Sequence, residues 1–203
     1  MKTFLHVGCG LKKKKQTTQT FAQGDWQEVR LDIDPAAQPD IVGTMLDMSA
    51  VASESVDAVF SSHNIEHLYP HEVPLALKEF LRVLRPEGFV VITCPDLRSV
   101  ARLIVDDQLT EAAYTSPAGP IAPLDILYGH RPHLAVGNLY MAHRCGFTLK
   151  VLIATLQAAG FASVAGIQRA SFFDLWAVGT KSPLPEADMR NLAGTYFPMA
   201  TKA

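Results

Sequence analysis

Phe4-Leu5-His6-Val7-Gly8-Cys9-Gly10, followed about twenty residues later by Val29-Arg30-Leu31-Asp32-Ile33-Asp34, is the stretch whose reading decides the fold. The apolar run ahead of the glycines has the composition of a parallel strand covered on both faces. Gly8 and Gly10 let the backbone turn sharply and come close to a ligand with no Cβ in the way. A carboxylate at the tip of the next strand can accept hydrogen bonds from the hydroxyls of a ribose. Strand, glycine turn and acid-tipped strand together describe a nucleoside site in an α/β sheet.

Outward from that stretch, short apolar segments alternate with helical patterns, as a parallel sheet requires. Strands are expected at residues 3–7, 28–31, 40–42, 56–61 and 89–94. A helix over 71–84 carries Val73, Leu77, Phe80, Leu81 and Leu84 on one face, and Arg85-Pro86-Glu87-Gly88 terminates it. Asp96 is placed to cap a helix over 97–105. Residues 107–144 hold four prolines (Pro117, Pro120, Pro123, Pro132) and His130, His133 and His143. That stretch is too long for an ordinary connection and reads as an insertion or lid. A last helix at 150–159, introduced by Thr148 and ended by Gly160, precedes strands at 163–168 and 172–179. Those two lie too close for a parallel crossover and must form an antiparallel hairpin. The expected architecture is a Rossmann-like, doubly wound α/β fold. Its mostly parallel seven-stranded sheet ends in an antiparallel β-hairpin. We expect one domain over 1–181 and a tail over 182–203 with little pattern, which Tyr196 and Phe197 could dock.

Composition narrows the class. A chain of 203 residues that is 48% hydrophobic can bury one sizeable core. Eighteen Lys and Arg against 20 Asp and Glu leave a net charge of −2, without the basic surplus of a nucleic-acid binder. The run Lys12-Lys13-Lys14-Lys15 reads as a solvated loop. No apolar run approaches the roughly eighteen residues of a membrane span, and the first residues lack the layout of a signal peptide. The three cysteines, Cys9, Cys94 and Cys145, are scattered and odd in number, which suggests a reducing, cytoplasmic setting. Cys9 and Cys94 read as inert packing. No metal site is expected, since no CxxC or HExxH spacing occurs and the three late histidines fit no ligand pattern.

Five segments in order resemble the class I S-adenosylmethionine-dependent methyltransferases, a resemblance covering residues 3–181. Val7-Gly8-Cys9-Gly10 resembles the first motif of that fold, and Leu31-Asp32-Ile33-Asp34 its acidic second strand. Leu46-Asp47-Met48 is similar to the segment that holds the adenine. Residues 55–63, Ser-Val-Asp-Ala-Val-Phe-Ser-Ser-His, resemble the fourth strand and its loop, and residues 79–88 the helix leading into strand five. Ile65-Glu66-His67-Leu68, Cys94-Pro95-Asp96-Leu97 and Ala142-His143-Arg144-Cys145-Gly146-Phe147-Thr148 look like a bacterial subgroup of predicted methyltransferases whose substrate is unsettled. Two positions depart from the pattern. His6 stands where the family usually has an acid, and Lys12 where it often has a third glycine.

The resemblance implies S-adenosylmethionine as cofactor, bound by Gly8, Cys9, Gly10, Asp32, Ile33, Asp47, Met48, Ser61 and His63. In it Asp32 takes the ribose diol, Asp47 the adenine amino group, and Met48 the ring. His63, at the carboxyl end of strand four, is the candidate base, because imidazole titrates near neutrality. His67 reads as structural. His130, His133, Tyr140, His143 and Arg144 are the candidate substrate and lid residues. The expected activity is in-line methyl transfer to a small or medium polar acceptor. The alternative is a catalytically degenerate regulatory or partner subunit that binds S-adenosylmethionine or S-adenosylhomocysteine. A nicotinamide-dependent oxidoreductase is disfavoured by the missing third glycine and the terminal hairpin.

Overall fold

The structure, a computed structural model, describes residues 1–198. The strands in chain order are β1 (Lys2–Val7), β2 (Trp26–Asp32), β3 (Ile41–Val42), β4 (Val56–Ser62), β5 (Leu84–Pro95), β6 (Tyr114–Ser116), β7 (Gly119–Ile121), β8 (Ser163–Arg169) and β9 (Asp174–Thr180). The helices are α1 (Gln19–Gln23), α2 (Val73–Val83), α3 (Leu97–Val105), α4 (Pro123–Tyr128), α5 (Arg131–Ala135), α6 (Leu149–Ala159) and α7 (Glu186–Tyr196). Seven strands form one sheet in the order β3-β2-β1-β4-β5-β9-β8. The first five are mutually parallel, and β9 runs antiparallel to both β5 and β8. The expected mostly parallel sheet with a closing hairpin is therefore the observed one.

Strand order reverses between β1 and β4, and their carboxyl ends flank the crevice where open α/β sheets bind ligands. Successive strand residues enter opposite layers. Leu5, Val59, Val90 and Ile92 pack with Leu77 and Phe80 of α2 and Leu152 and Leu156 of α6. Their neighbours Phe4, Phe60, Phe89 and Val91 pack on the other face with Phe21, Trp26 and Tyr196. Both faces of the parallel strands are thus dry, which is why those strands read as continuous apolar runs.

Several local boundaries differ from expectation for physical reasons. α2 starts at Val73, with Pro74 in its first turn where a missing N–H costs nothing. The Arg85-Pro86-Glu87-Gly88 segment ends α2 but belongs to β5, as a bulge between the pairs Val56↔Leu84 and Ala58↔Phe89. Phe172 falls in a 3-10 turn ahead of β9, and Phe173 adopts φ +54°. Residues 107–144 hold the β6–β7 hairpin, α4, α5 and a further 3-10 turn at Leu139–Met141. The tail has more pattern than its sequence suggests. It forms α7 and buries Tyr196 among Phe21, Trp26 and Phe89. Among the described residues no helix is long and apolar enough to cross a membrane.

Candidate functional site

Gly8 and Gly10 both occupy the left-handed region, at φ +63° and +51°. Their turn is stitched to the end of β2. Gly8 N donates to Leu31 O at 2.8 Å, and Gly10 N donates to Asp32 Oδ2 at 2.7 Å. Asp32 Oδ1 accepts from Asp34 N at 2.9 Å. Each oxygen keeps a further lone pair, so Asp32 can hold the loop and still accept from two vicinal hydroxyls. Asp34 instead caps the 3-10 turn at Pro35–Ala37 by accepting from Ala36 N.

Beneath this loop lies an anchor that the sequence reading missed. The Arg30 guanidinium, 8% exposed, donates to Gly10 O at 2.5 Å, Lys12 O at 3.1 Å, Gln38 O at 2.7 Å and Ala37 O at 3.1 Å. One side chain thereby ties the glycine turn to the loop after β2. The neighbouring Lys14 is not freely solvated as expected. Its Nζ donates to Gly24 O at 2.9 Å and Trp26 O at 2.6 Å.

His6, in the position of the usual acid, is 1% exposed. Its Nδ1 donates to Glu28 Oε1 at 2.8 Å, and Glu28 Oε2 accepts from Lys14 N at 2.7 Å. Burial pulls the His6 pKa below its ordinary value, against the opposing pull of Glu28. The ring is therefore neutral near pH 7, with Nε2 as a bare acceptor that has no partner among the described residues.

A cavity of about 760 Å³ opens over the β1–β4 crevice, within the range that accommodates a small organic ligand. Gly8, Cys9, Gly10, Asp32 and Ile33 line one side, and His6 and Lys12 border it there. His63, His133, Tyr140 and Arg144 line the other, where the 107–144 insertion folds over. The structure does not bring the remaining candidates to this cavity. Asp47 is turned toward Ser49 N, and Met48 is a core residue, 1% exposed, whose N donates to Glu79 Oε2 at 2.8 Å. Gly43, Thr44, Met45 and Leu46 line the wall in their stead. The chain turns away after Leu46, because Glu79 and Arg82 of α2 hold the following backbone. Ser61 is buried with its hydroxyl unpartnered, and Ser62 lines the cavity instead. His130 is half-buried with its Nδ1 shielded and unpartnered, and His143 Nδ1 donates to Ile126 O at 2.7 Å.

Asn64, at the ligand edge of β4, also lines the cavity, as do Asn138 and Met141, which sequence reasoning missed. Asn64 donates from its amide to Val7 O at 3.1 Å and Ser62 O at 2.9 Å, bracing β1 against β4. No local periodicity marks such a cross-strand brace. His63, at φ +55°, leaves nearly half its side chain exposed and places Nδ1 3.4 Å from Glu66 Oε1. Burial opposes ionisation of Glu66, but His63, His67 and His143 outweigh it and hold the carboxyl below its ordinary pKa.

The methyltransferase-domain family model matches residues 5–92. No curated protein sequence matches the chain. Among solved structures, a possible exported protein from Bordetella parapertussis is 17% identical at TM-score 0.56; the alignment covers 89% of this chain but 62% of that one. A SAM-dependent methyltransferase from Archaeoglobus fulgidus is 14% identical at TM-score 0.58, covering 89% and 86%. A Burkholderia thailandensis 1,6-didemethyltoxoflavin-N1-methyltransferase, solved with its acceptor and S-adenosylhomocysteine, is 15% identical at TM-score 0.55, covering 89% and 71%. Strand order, the glycine turn and the match over residues 5–92 give this chain the fold of the class I S-adenosylmethionine-dependent methyltransferases.

Proposed function

We propose that the protein binds S-adenosylmethionine along the glycine turn and the end of β2, and methylates a small or medium polar acceptor held under the insertion. The observation that carries this reading is the contrast between the two glycines. A Cβ on Gly10 would meet nothing within 4 Å, so its face of the turn is open to a ligand. Asp32 keeps acceptor capacity for the ribose, and His6 Nε2 supplies an acceptor for the ammonium group where the family has an acid. The cofactor, when bound, supplies an electrophilic methyl on a sulfonium whose positive charge vanishes on transfer. The chain's task is then to hold the acceptor close and collinear and to exclude water. Tyr140 and Arg144 hold the acceptor, with the half-buried His130 and His143 supporting the lid behind them. His63 takes the proton of an acceptor that must lose one.

We read residues 1–181 as the methyltransferase-like unit, with 107–144 as its lid, in a cytoplasmic setting that suits three free cysteines. Thermal unfolding in S-adenosylmethionine, S-adenosylhomocysteine and NAD tests the cofactor. A ligand at about 100 times its Kd adds roughly 2.7 kcal/mol, which raises the midpoint by about 5–10 °C for a domain of this size. A shift with NAD and with neither sulfur nucleoside overturns the proposal. Binding without turnover across a broad acceptor panel favours the regulatory subunit, to which the His6 substitution also points.

A further inference from the structure

We infer that Glu66, His67 and His143 form a site for a first-row transition-metal dication of the zinc class, beside the acceptor side of the cavity. The three segments that marked the bacterial subgroup in sequence converge here. Arg144 N and Cys145 N both donate to Glu66 O, at 2.8 and 3.2 Å, and Leu97 N donates to Phe147 O at 3.0 Å. The end of the insertion is thereby sewn onto the loop after β4, which places His143 beside Glu66 and His67.

Glu66 is 1% exposed, and both its carboxylate oxygens lack a hydrogen bond among the described residues. Burying a carboxylate in that condition is strongly unfavourable unless a cation compensates it, and the His63 Nδ1 that faces Oε1 stands 3.4 Å away. The two imidazoles are set up as ligands. His67 Nδ1 lies 3.1 Å from Ala142 O and His143 Nδ1 lies 2.7 Å from Ile126 O. A carbonyl only accepts, so each Nδ1 carries its hydrogen and each Nε2 is left with its lone pair. Metal-binding histidines are held in this way, with the second ring nitrogen donating to a carbonyl. One donor atom each from Glu66, His67 and His143 lie within 4.8 Å of one another. Bonds of about 2.0–2.1 Å put tetrahedral ligands about 3.4 Å apart, so loading draws the three side chains together by about 1 Å. One oxygen and two imidazole nitrogens suit zinc or cobalt rather than the all-oxygen sites of magnesium and calcium. Three protein ligands leave a fourth position open. His67 lines the cavity, so that position lies within reach of an acceptor oxygen or nitrogen. Sequence spacing could not show the site, because its third ligand comes from the far end of the insertion.

Metal binding at these three side chains is independent of methyl transfer and is measured without cofactor. The full chain, stripped with a chelator and dialysed, is titrated with CoCl2 under visible absorption, and then with ZnCl2. The expected result is a saturable spectrum of four- or five-coordinate cobalt at one equivalent, which zinc abolishes. Glu66→Gln and His143→Gln should each weaken cobalt binding about tenfold or more, while the exposed His71→Gln leaves it unchanged. A wild-type chain with no saturable cobalt spectrum overturns the site, whether or not the variants fold. So does a spectrum that survives intact in both folded variants.

Discussion

The side chain of Asn64 lies directly over Gly8. A Cβ on that glycine would stand 2.1 Å from Asn64 Oδ1, whereas a Cβ on Gly10 would meet nothing within 4 Å. Two glycines one residue apart therefore serve different ends. Gly8→Ala adds left-handed strain of about 1–2 kcal/mol to the loss of the Asn64 hydrogen bonds, worth about 1 kcal/mol each. Urea unfolding should show a loss of about 2–4 kcal/mol. Gly10→Ala should lose only about 1–2 kcal/mol but bind S-adenosylhomocysteine far more weakly by calorimetry. Equal stability losses in the two variants would refute the distinction.

Arg30 and Asp32 act on the same loop from below and from the side. Arg30→Met removes the donor to four carbonyls in a buried setting. It should cost about 3 kcal/mol in urea unfolding, since lost charged hydrogen bonds leave buried acceptors unpaired. Asp32→Ala should weaken S-adenosylhomocysteine binding by about tenfold or more. Unchanged affinity in calorimetry would show that the ribose acceptor is another group.

His6 makes stability depend on pH in a defined direction. The groups acting on it are Glu28, which favours its charged form, and Lys12 and Arg30, which disfavour it; burial dominates all three. Its folded pKa lies below the ordinary value of 6.5, so the unfolded chain binds the proton more readily. The His6 contribution is complete above about pH 6.5 and is lost as pH falls from there toward the folded pKa. Chemical unfolding across that window should show declining stability in the wild type and a flatter profile in His6→Gln. A wild-type profile that rises toward acid would contradict a buried neutral ring.

The tail is also open to a direct test. Tyr196 is 6% exposed, with its ring centroid 4.7 Å from that of Phe89 and 4.8 Å from that of Phe21. Tyr196→Ala should cost about 3–5 kcal/mol, as large aromatic deletions from a core do. A midpoint of thermal unfolding that stays put would mean α7 is dispensable.

The alternation of strands and helices was legible because it rests on local patterns. Continuous apolar runs such as Phe89-Val90-Val91-Ile92, the face of α2, and the short gap before β9 each constrain one piece of chain without reference to the rest. Residues 186–196 misled because α7 borrows its stability from the aromatic layer it covers, not from a pattern of its own. Asp47 and Met48 resemble adenine ligands on the strength of a short segment, whereas in the fold Glu79 and Arg82 of α2 hold the Met48 backbone and neither residue lines the cavity.

By itself, then, the sequence determined the succession of strands and helices, the glycine turn and the acid-tipped second strand, since strand periodicity and glycine's freedom are properties of neighbouring residues. Tertiary structure alone decided what surrounds them. Arg30 reaches four carbonyls on two loops, Asn64 fills the space over Gly8, and Glu66 meets His143 from the far end of the insertion. Those relationships join residues distant in the chain, and only close packing between elements brings their polar atoms within bonding distance.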